Sequence, residues 1–259
     1  MKIIKYIILP ILLCSLLYTL AWYAGAYYID RYLKSYIVLQ ADANIKFTTM
    51  PIYPSGFPGK YNISYSGEII TPLERIEMRN MTVSGWPLPG QLITITAADG
   101  FNIQSPFIHK ELQEISYFDM AFTVPHGIPS LWAKPYLRQW QADGNAMTTI
   151  ENLHINWLGM AASGAGQLEL NKDLQPEAKG EIYVRNYKEF LSRISAAYNL
   201  SPQQTELILS LLSSQEDPET GQITLPVNIK NRKVYLYMFP LVTLPHIKWP
   251  QLPNTTNTP

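Results

Sequence analysis

The chain has 259 residues and a mass of 29.5 kDa, which suits one large domain or two small ones and is ample for a sizeable core. Its 20 Lys and Arg balance 20 Asp and Glu, and a net charge of zero argues against nucleic acid, which demands a surplus of cations to displace phosphate counterions. Hydrophobic residues reach 47%, which excludes a disordered chain, while charged residues stop at 15%, against about 25% in an ordinary soluble domain.

Lys2 and Lys5 are the only charges before Asp30, and Tyr6 to Ile29 is a run of 24 uncharged residues. At about 1.5 Å per residue, ~20 helical residues cross the hydrocarbon core of a bilayer. Tyr18, Trp22, Tyr23, Tyr27 and Tyr28 crowd the second half of the run, as an interfacial aromatic belt does. Basic residues before the span keep that end cytoplasmic, and an exported part without cysteine is ordinary for the bacterial periplasm, so the expectation is a single-pass protein of the bacterial inner membrane with its carboxy-terminal domain in the periplasm. Two other readings compete. Ala24-Gly25-Ala26 fits the cleavage site of a signal peptide, although the apolar run is longer than an ordinary h-region. The run also suits a buried core helix. Cys14 lies within it, reads as a lipid-facing apolar side chain, and is the only cysteine. The exported part therefore has no disulfide, thiolate metal site or cysteine nucleophile.

Residues 32–50 read as a juxtamembrane segment that first extends the helix. Pro51 to Gly59, with Pro54, Gly56 and Pro58 between, ends any helix and opens a β-rich extracytoplasmic domain over 51–250. Ile63, Tyr65, Gly67 and Ile69 alternate with polar residues, the period of a half-buried strand. Ile76 to Val83 is a second strand. Leu92 to Ala98 and Phe101 to Ile108 flank Asp99-Gly100, the preferred two-residue hairpin turn. Ile115 to Val124 is apolar on both parities, which predicts a strand buried on both faces. A proline-rich loop and a short helix, Trp132 to Trp140, lead to a turn at Asp143-Gly144. Strands over Met147 to Trp157, Gly166 to Leu170 and Glu181 to Arg185 follow, with Gly164 and Gly166 allowing a bulge or close backbone approach.

Two helices come next. Asn186 with Glu189, and Ser201 with Pro202 and Gln204, carry amino-terminal capping signatures. The predicted apolar stripes are Phe190, Leu191, Ile194, Ala197 and Tyr198, then Leu207, Ile208, Leu211 and Leu212, a helical hairpin packed on one side of a sheet. Gln222 to Lys230 alternates cleanly, with Pro226 marking an edge or a break. Val234 to Met238 returns after Asn231-Arg232. Pro240, Pro245, Pro250 and Pro253 then punctuate an extended segment, and 251–259 is a polar tail. The fold class is α+β, mostly β: an amino-terminal transmembrane helix over 1–31, then a large, mostly antiparallel curved sheet with one helical hairpin on it.

Several motifs in this order carry a resemblance: Ser55-Gly56-Phe57-Pro58, Gly166-Gln167-Leu168-Glu169-Leu170, Leu174-Gln175-Pro176, and Gly221-Gln222-Ile223-Thr224-Leu225-Pro226 between a helical pair and a final hairpin. The chain resembles the bacterial envelope family catalogued as domain of unknown function 2125, over most of its length. It departs from that pattern at Asn231-Arg232, where the family has Asp-Gly, and at Phe239-Pro240, where it has Gly-Pro. The resemblance implies no activity. By fold-level analogy it points to anchored envelope domains, some of which serve lipid transport.

Chemistry is thin. His109, His126, His154 and His246 are far apart and show no metal-ligand spacing. Ser163 sits in a small-residue stretch without a nucleophile elbow. Glu74, Glu77, Glu111, Glu114 and Asp119 would need to meet in space to do acid–base work. No catalytic, cofactor-binding or metal residue is assigned. The aromatic load, with Trp86, Trp132, Trp140, Trp157 and Trp249, suits a packed core or an apolar groove. The expectation is a non-enzymatic protein that binds lipid or another apolar ligand in a sheet groove or scaffolds an envelope complex, with the membrane and a lipid or envelope protein as partners. The alternatives are a purely structural interaction module and an envelope hydrolase.

Overall fold

The computed structural model describes the chain except residues 1, 43–44, 73, 107, 128–133, 237–238, 245, 248 and 250–259, and without the side chains of 2–13, 36, 39–42, 236 and 239–242. The predicted Trp132, Met238, Pro245, Pro250 and polar tail thus lie outside the described residues. Helix α1 (Lys2–Asp42) precedes strands β1 (Lys46–Phe47), β2 (Tyr61–Ile70), β3 (Arg75–Gly85), β4 (Leu92–Ala97), β5 (Phe101–Gln104) and β6 (Glu114–Thr123). Helix α2 (Lys134–Ala142) follows, then β7 (Met147–Trp157), β8 (Met160–Leu170), β9 (Pro176–Arg185), α3 (Tyr187–Ala197) and α4 (Pro202–Ser213). The chain closes with β10 (Ile223–Lys230), β11 (Lys233–Leu236) and β12 (Phe239–Thr243). All twelve strands form one antiparallel sheet in chain order, so the class is α+β, mostly β.

One strand breaks the order. β4 and β5 do not pair with each other; both lie between β3 and β6 and continue one line. Asp99-Gly100 is therefore not the hairpin turn its sequence announces. The chain steps sideways within one position and carries on. Gly100 takes a positive φ of 66° there, and a Cβ would come within 1.9 Å of the Ile115 carbonyl oxygen, so only glycine fits. Register shifts at Tyr65/Gly67 in β2 and Ile115/Tyr117 in β6 lie on the same line across the sheet. Each such shift bends its strand and strengthens the twist.

Two further expectations change. β6 is half-buried, rather than fully buried, on both faces from Tyr117 onward: Phe118, Met120 and Phe122 alternate with Tyr117, Asp119, the buried Ala121 and Thr123. Pro226 lies in an interior strand, opposite Glu181 of β9, and among the described residues β11 pairs with β10 only from Val227 onward.

Helix ends and stripes also differ in part. Ser201 and Gln204 form the predicted capping box on α4, beside Pro202. Asn186 instead adopts a left-handed conformation, φ 58°, and its side chain caps nothing. On α4 the sheet-facing residues are Leu209 and Leu212, while Leu207 and Leu211 point to solvent. Ile208 is half-buried.

Helix α1 lies against the β2 end of the sheet. Trp22, Ala26 and Tyr61 form a buried cluster with Ile29 and Trp86 against it. Trp22 Nε1 donates to the Gly59 carbonyl at 2.9 Å, and the Trp22 and Tyr61 rings lie 4.9 Å apart. Tyr18 donates to the Pro58 carbonyl. Of the five aromatics expected at a bilayer surface, Trp22 is thus buried against protein, while Tyr23, Tyr27 and Tyr28 stay exposed. Among the described residues no helix is long and apolar enough to cross a membrane. The first part of the apolar run, Tyr6 to Leu13, falls where side chains are not described.

Candidate functional site

The pairing register sorts the sheet into two unlike faces. From β2 to β6 one face carries Ile63 and Tyr65, Met81 and Val83, Ile93 and Ile95, then Phe118, Met120 and Phe122. It continues through Ile150, Leu153 and Ile155, then Ala162 and Leu168, Ile182 and Val184, and Leu225, Val227 and Ile229. Alternation, with one bulge in β7 between Ile150 and Leu153 that restores the parity, keeps these side chains on one face. The other face holds Thr94, Thr96, Asp119, Asn152, His154, Ser163 and Glu181 at the facing positions.

The apolar face is only partly covered. Three buried clusters occur, each where a helix meets the sheet. α1 supplies the first, at Tyr61. α2 supplies the second, where Leu137 and Trp140 pack with Leu174 and Leu170. α3 and α4 supply the third, around Val184, Tyr187 and Ile223. Among the described residues none of these clusters includes a side chain from β3 to β7. Phe118, Met120, Phe122, Ile150 and Leu153 there are half-buried. In the middle of β8 and β9, Gly166 faces Gly180 and Gly164 lies two residues away on the same face, so none of the three adds a side chain. A Cβ on any of the three would come within 2.5 Å of a carbonyl oxygen of the neighbouring strand, so the backbones need glycine to approach this closely. The result is an apolar sheet face, termed the trough, with a bare stretch across β8 and β9.

At one end of the trough lies an open cleft of about 670 Å³, lined by Lys134, Arg138, Asn171, Asp173, Gln175, Asn231, Arg232, His246, Ile247 and Trp249. Its wall is tied by hydrogen bonds. Gln175 is 3% exposed, and its amide both donates to the Ile247 carbonyl at 3.1 Å and accepts from the Ile247 N–H at 2.9 Å. Trp249 Nε1 donates to the Leu174 carbonyl at 2.7 Å. Sequence spacing hides this cleft, since its residues span four separate segments. The one local signal is Asn231-Arg232, an unusual turn pair.

A second cavity, about 440 Å³, lies at the opposite rim among Arg185, Lys188, Glu189 and Glu216. Three of its four charges are paired, Glu189 with Arg193 and Lys188 with Glu216, while Arg185 donates to the Gln222 side chain at 3.1 Å. The Tyr187 hydroxyl donates to Glu216 at 2.7 Å, and Lys188 approaches the same carboxylate to 3.0 Å. The Tyr187 bond, then Lys188, hold the Glu216 carboxyl below its ordinary pKa; Glu216 in turn raises that of Lys188. Near α1, burial first and then Tyr18 and Tyr53 push the Tyr61 hydroxyl upward.

The residues considered for catalysis find ordinary places. Asp119, His154 and Ser163 do sit opposite one another on β6, β7 and β8. Yet Asp119 accepts from Thr96 at 2.7 Å, and among the described residues the three share no hydrogen bond. They stand on an open sheet face whose backbone donors serve the ladder, which leaves none for an oxyanion. Glu114 approaches Arg79, and Glu74 accepts from Ser105. Glu77 faces Glu68 across β2 and β3, and Glu111 lies exposed in a short 3-10 turn. His109 borders Tyr198, and the His126 carbonyl accepts from Trp140. Among the described residues no three His, Cys, Asp or Glu side chains are grouped to hold a metal ion.

Residues 118–245 match the model of a family described as an uncharacterized protein conserved in bacteria, DUF2125. The match spans β6 to β12, and the Ser55-Gly56-Phe57-Pro58 motif lies outside it. No curated protein and no solved structure gave a significant match.

Proposed function

We propose that this chain, whose residues 118–245 belong to the uncharacterized bacterial family DUF2125, is a non-enzymatic protein of the cell envelope that receives the acyl chain of a lipid on its apolar sheet face. One observation carries the reading. An apolar surface runs across the strands, interrupted at Gly164, Gly166 and Gly180, and among the described residues its central side chains are half-buried with no helix-built cluster over them. Water against such a surface is costly at about 25 cal/mol per Å², and an acyl chain replaces it. The anchor belongs to the same proposal. Its support is the uncharged run Tyr6–Ile29 behind Lys2 and Lys5, and the exposed Leu16, Leu17 and Leu20.

The test is native mass spectrometry with lipid extraction on the full chain from a bacterial host. Phospholipid at defined stoichiometry, reduced in Phe122→Ser and Leu153→Ser, supports the trough. A lipid-free mass after incubation with membranes overturns it and leaves the interaction module. Carbonate extraction of membranes tests the anchor: release into the soluble fraction removes it.

A further inference from the structure

We infer that the 670 Å³ cleft binds the phosphate headgroup of the same lipid whose acyl chain occupies the trough; this rests on the trough reading. Lys134, Arg138 and Arg232 meet a single acid, Asp173, so the Lys and Arg of the cleft outnumber its acids by two. Among the described residues none of the three cations forms an ion pair, whereas Lys188 in the opposite cavity is neutralised by Glu216. Two guanidinium groups offer planar forks that suit phosphate oxygens.

Position joins this charge to the trough. Trp249 lines the cleft and also packs against the cluster of Leu137, Trp140 and Leu174. That cluster reaches Leu170, which follows Leu168 on the apolar face of β8. Cleft and trough therefore border the same buried cluster, one on either side of it. The wall is already braced by Gln175 and Trp249, so little order has to be gained on binding. Arg232 adds a separate sign. It sits at φ 62°, where glycine is the favoured residue, and the Leu244 N–H bonds its carbonyl at 2.6 Å. The chain keeps a long cation at a position that disfavours one.

The experiment uses the full chain in a nonionic amphipol and isothermal titration calorimetry with three probes: dihexanoyl phosphatidic acid, uncharged dihexanoylglycerol and inorganic phosphate. The expected result is at least tenfold tighter binding of phosphatidic acid than of dihexanoylglycerol, weakening with salt. Arg138→Gln/Arg232→Gln should abolish that preference and leave dihexanoylglycerol affinity unchanged, which also shows that the variant is folded. Lys134→Gln should reduce the preference alone. Equal affinity for the two lipids, or a preference that survives in the double variant, overturns the cleft assignment while sparing the trough. Inorganic phosphate binding as tightly as phosphatidic acid identifies a free-anion site and overturns the lipid headgroup. Binding of neither lipid removes the trough reading and this inference with it.

Discussion

The Tyr61 hydroxyl donates to the Trp22 carbonyl at 3.0 Å and fills the space a side chain at Gly25 would occupy. This contact seats helix α1 on the first long strand of the sheet. It also gives the Ala24-Gly25-Ala26 stretch a packing role, since Ala26 is fully buried and a Gly25 Cβ would lie 2.1 Å from the Tyr61 oxygen. Gly25→Ala should therefore loosen the seat, at a cost of about 1–3 kcal/mol for overpacking. Tyr61→Phe should cost about 1 kcal/mol through the lost hydrogen bond, and should make room for the added methyl group in the double variant. Chemical denaturation of the four proteins measures the coupling. Strict additivity of the two changes would show that Tyr61 does not govern the space beside Gly25.

The same hydroxyl makes the seat sensitive to alkali. Its pKa is raised in the folded state, so its stabilising share is complete below the ordinary tyrosine range and is lost as pH climbs through the folded value. Tyr61→Phe should flatten the alkaline limb of the stability curve, read as melting temperature from about pH 8 to about pH 11 in wild type and variant.

At the other rim the sign reverses. Glu216 is held low by Tyr187 and then Lys188, so its share is present at neutral pH and lost as pH falls through the folded value. Lys188, raised by Glu216, keeps its share until pH rises into the lysine range. The stability gap between wild type and Glu216→Gln should shrink as pH is lowered toward about 3. A constant gap would mean that the carboxylate's charge plays no part.

Helix α4 begins at a full capping box, with Ser201 Oγ accepting from the Gln204 N–H at 3.2 Å. Ser201→Ala should cost about 1 kcal/mol, and Ser201→Asp should recover most of it. Thermal melts of the three chains decide, and an unchanged Ser201→Ala melt would place the helix start under tertiary control.

Arg232→Gly should stabilise the fold by about 0.5–1 kcal/mol, because glycine takes positive φ without the steric penalty of a side chain. The same substitution removes one cation of the cleft. A more stable variant with weaker phosphatidic acid binding would separate the fold's interest from the site's. A less stable one would mean that the Arg232 side chain supports the turn.

Strands are legible in the sequence where alternation is long. The run Met147 to Trp157 coincides with β7 to the residue, although a bulge between Ile150 and Leu153 breaks its period of two, because Leu158-Gly159 then turns the chain, both at positive φ. Asp99-Gly100 misleads because a turn dipeptide specifies local torsions and not the partner. Pairing of β4 and β5 with the same two neighbours decides against a reversal. Asn186 misleads for a related reason: asparagine tolerates the left-handed region, and here it serves that conformation instead of a cap. The alternation of each strand is visible in the residues, but the register that merges them into one face is not. The cleft is the least legible part. Lys134, Arg138, Arg232 and His246 come together only because α2, the β10–β11 turn and the closing segment share a rim.

Pairing in chain order has a consequence for how the molecule comes apart. Each strand leans on its sequence neighbours, so the sheet behaves as a quasi-one-dimensional array in which stability is a sum of adjacent-pair terms. The helices clamp that array at β2 and from β8 to β10, α3 also reaching the end of β7 where the Phe190 and Trp157 rings lie 4.9 Å apart, and leave β4 to β6 to ladder bonds and side-to-side shielding. Openings should therefore begin between β4 and β6, the stretch without a helix contact of this kind, and amide exchange there should run ahead of both ends. A lipid laid along the trough would bridge those strands from above, and so would act as the missing clamp.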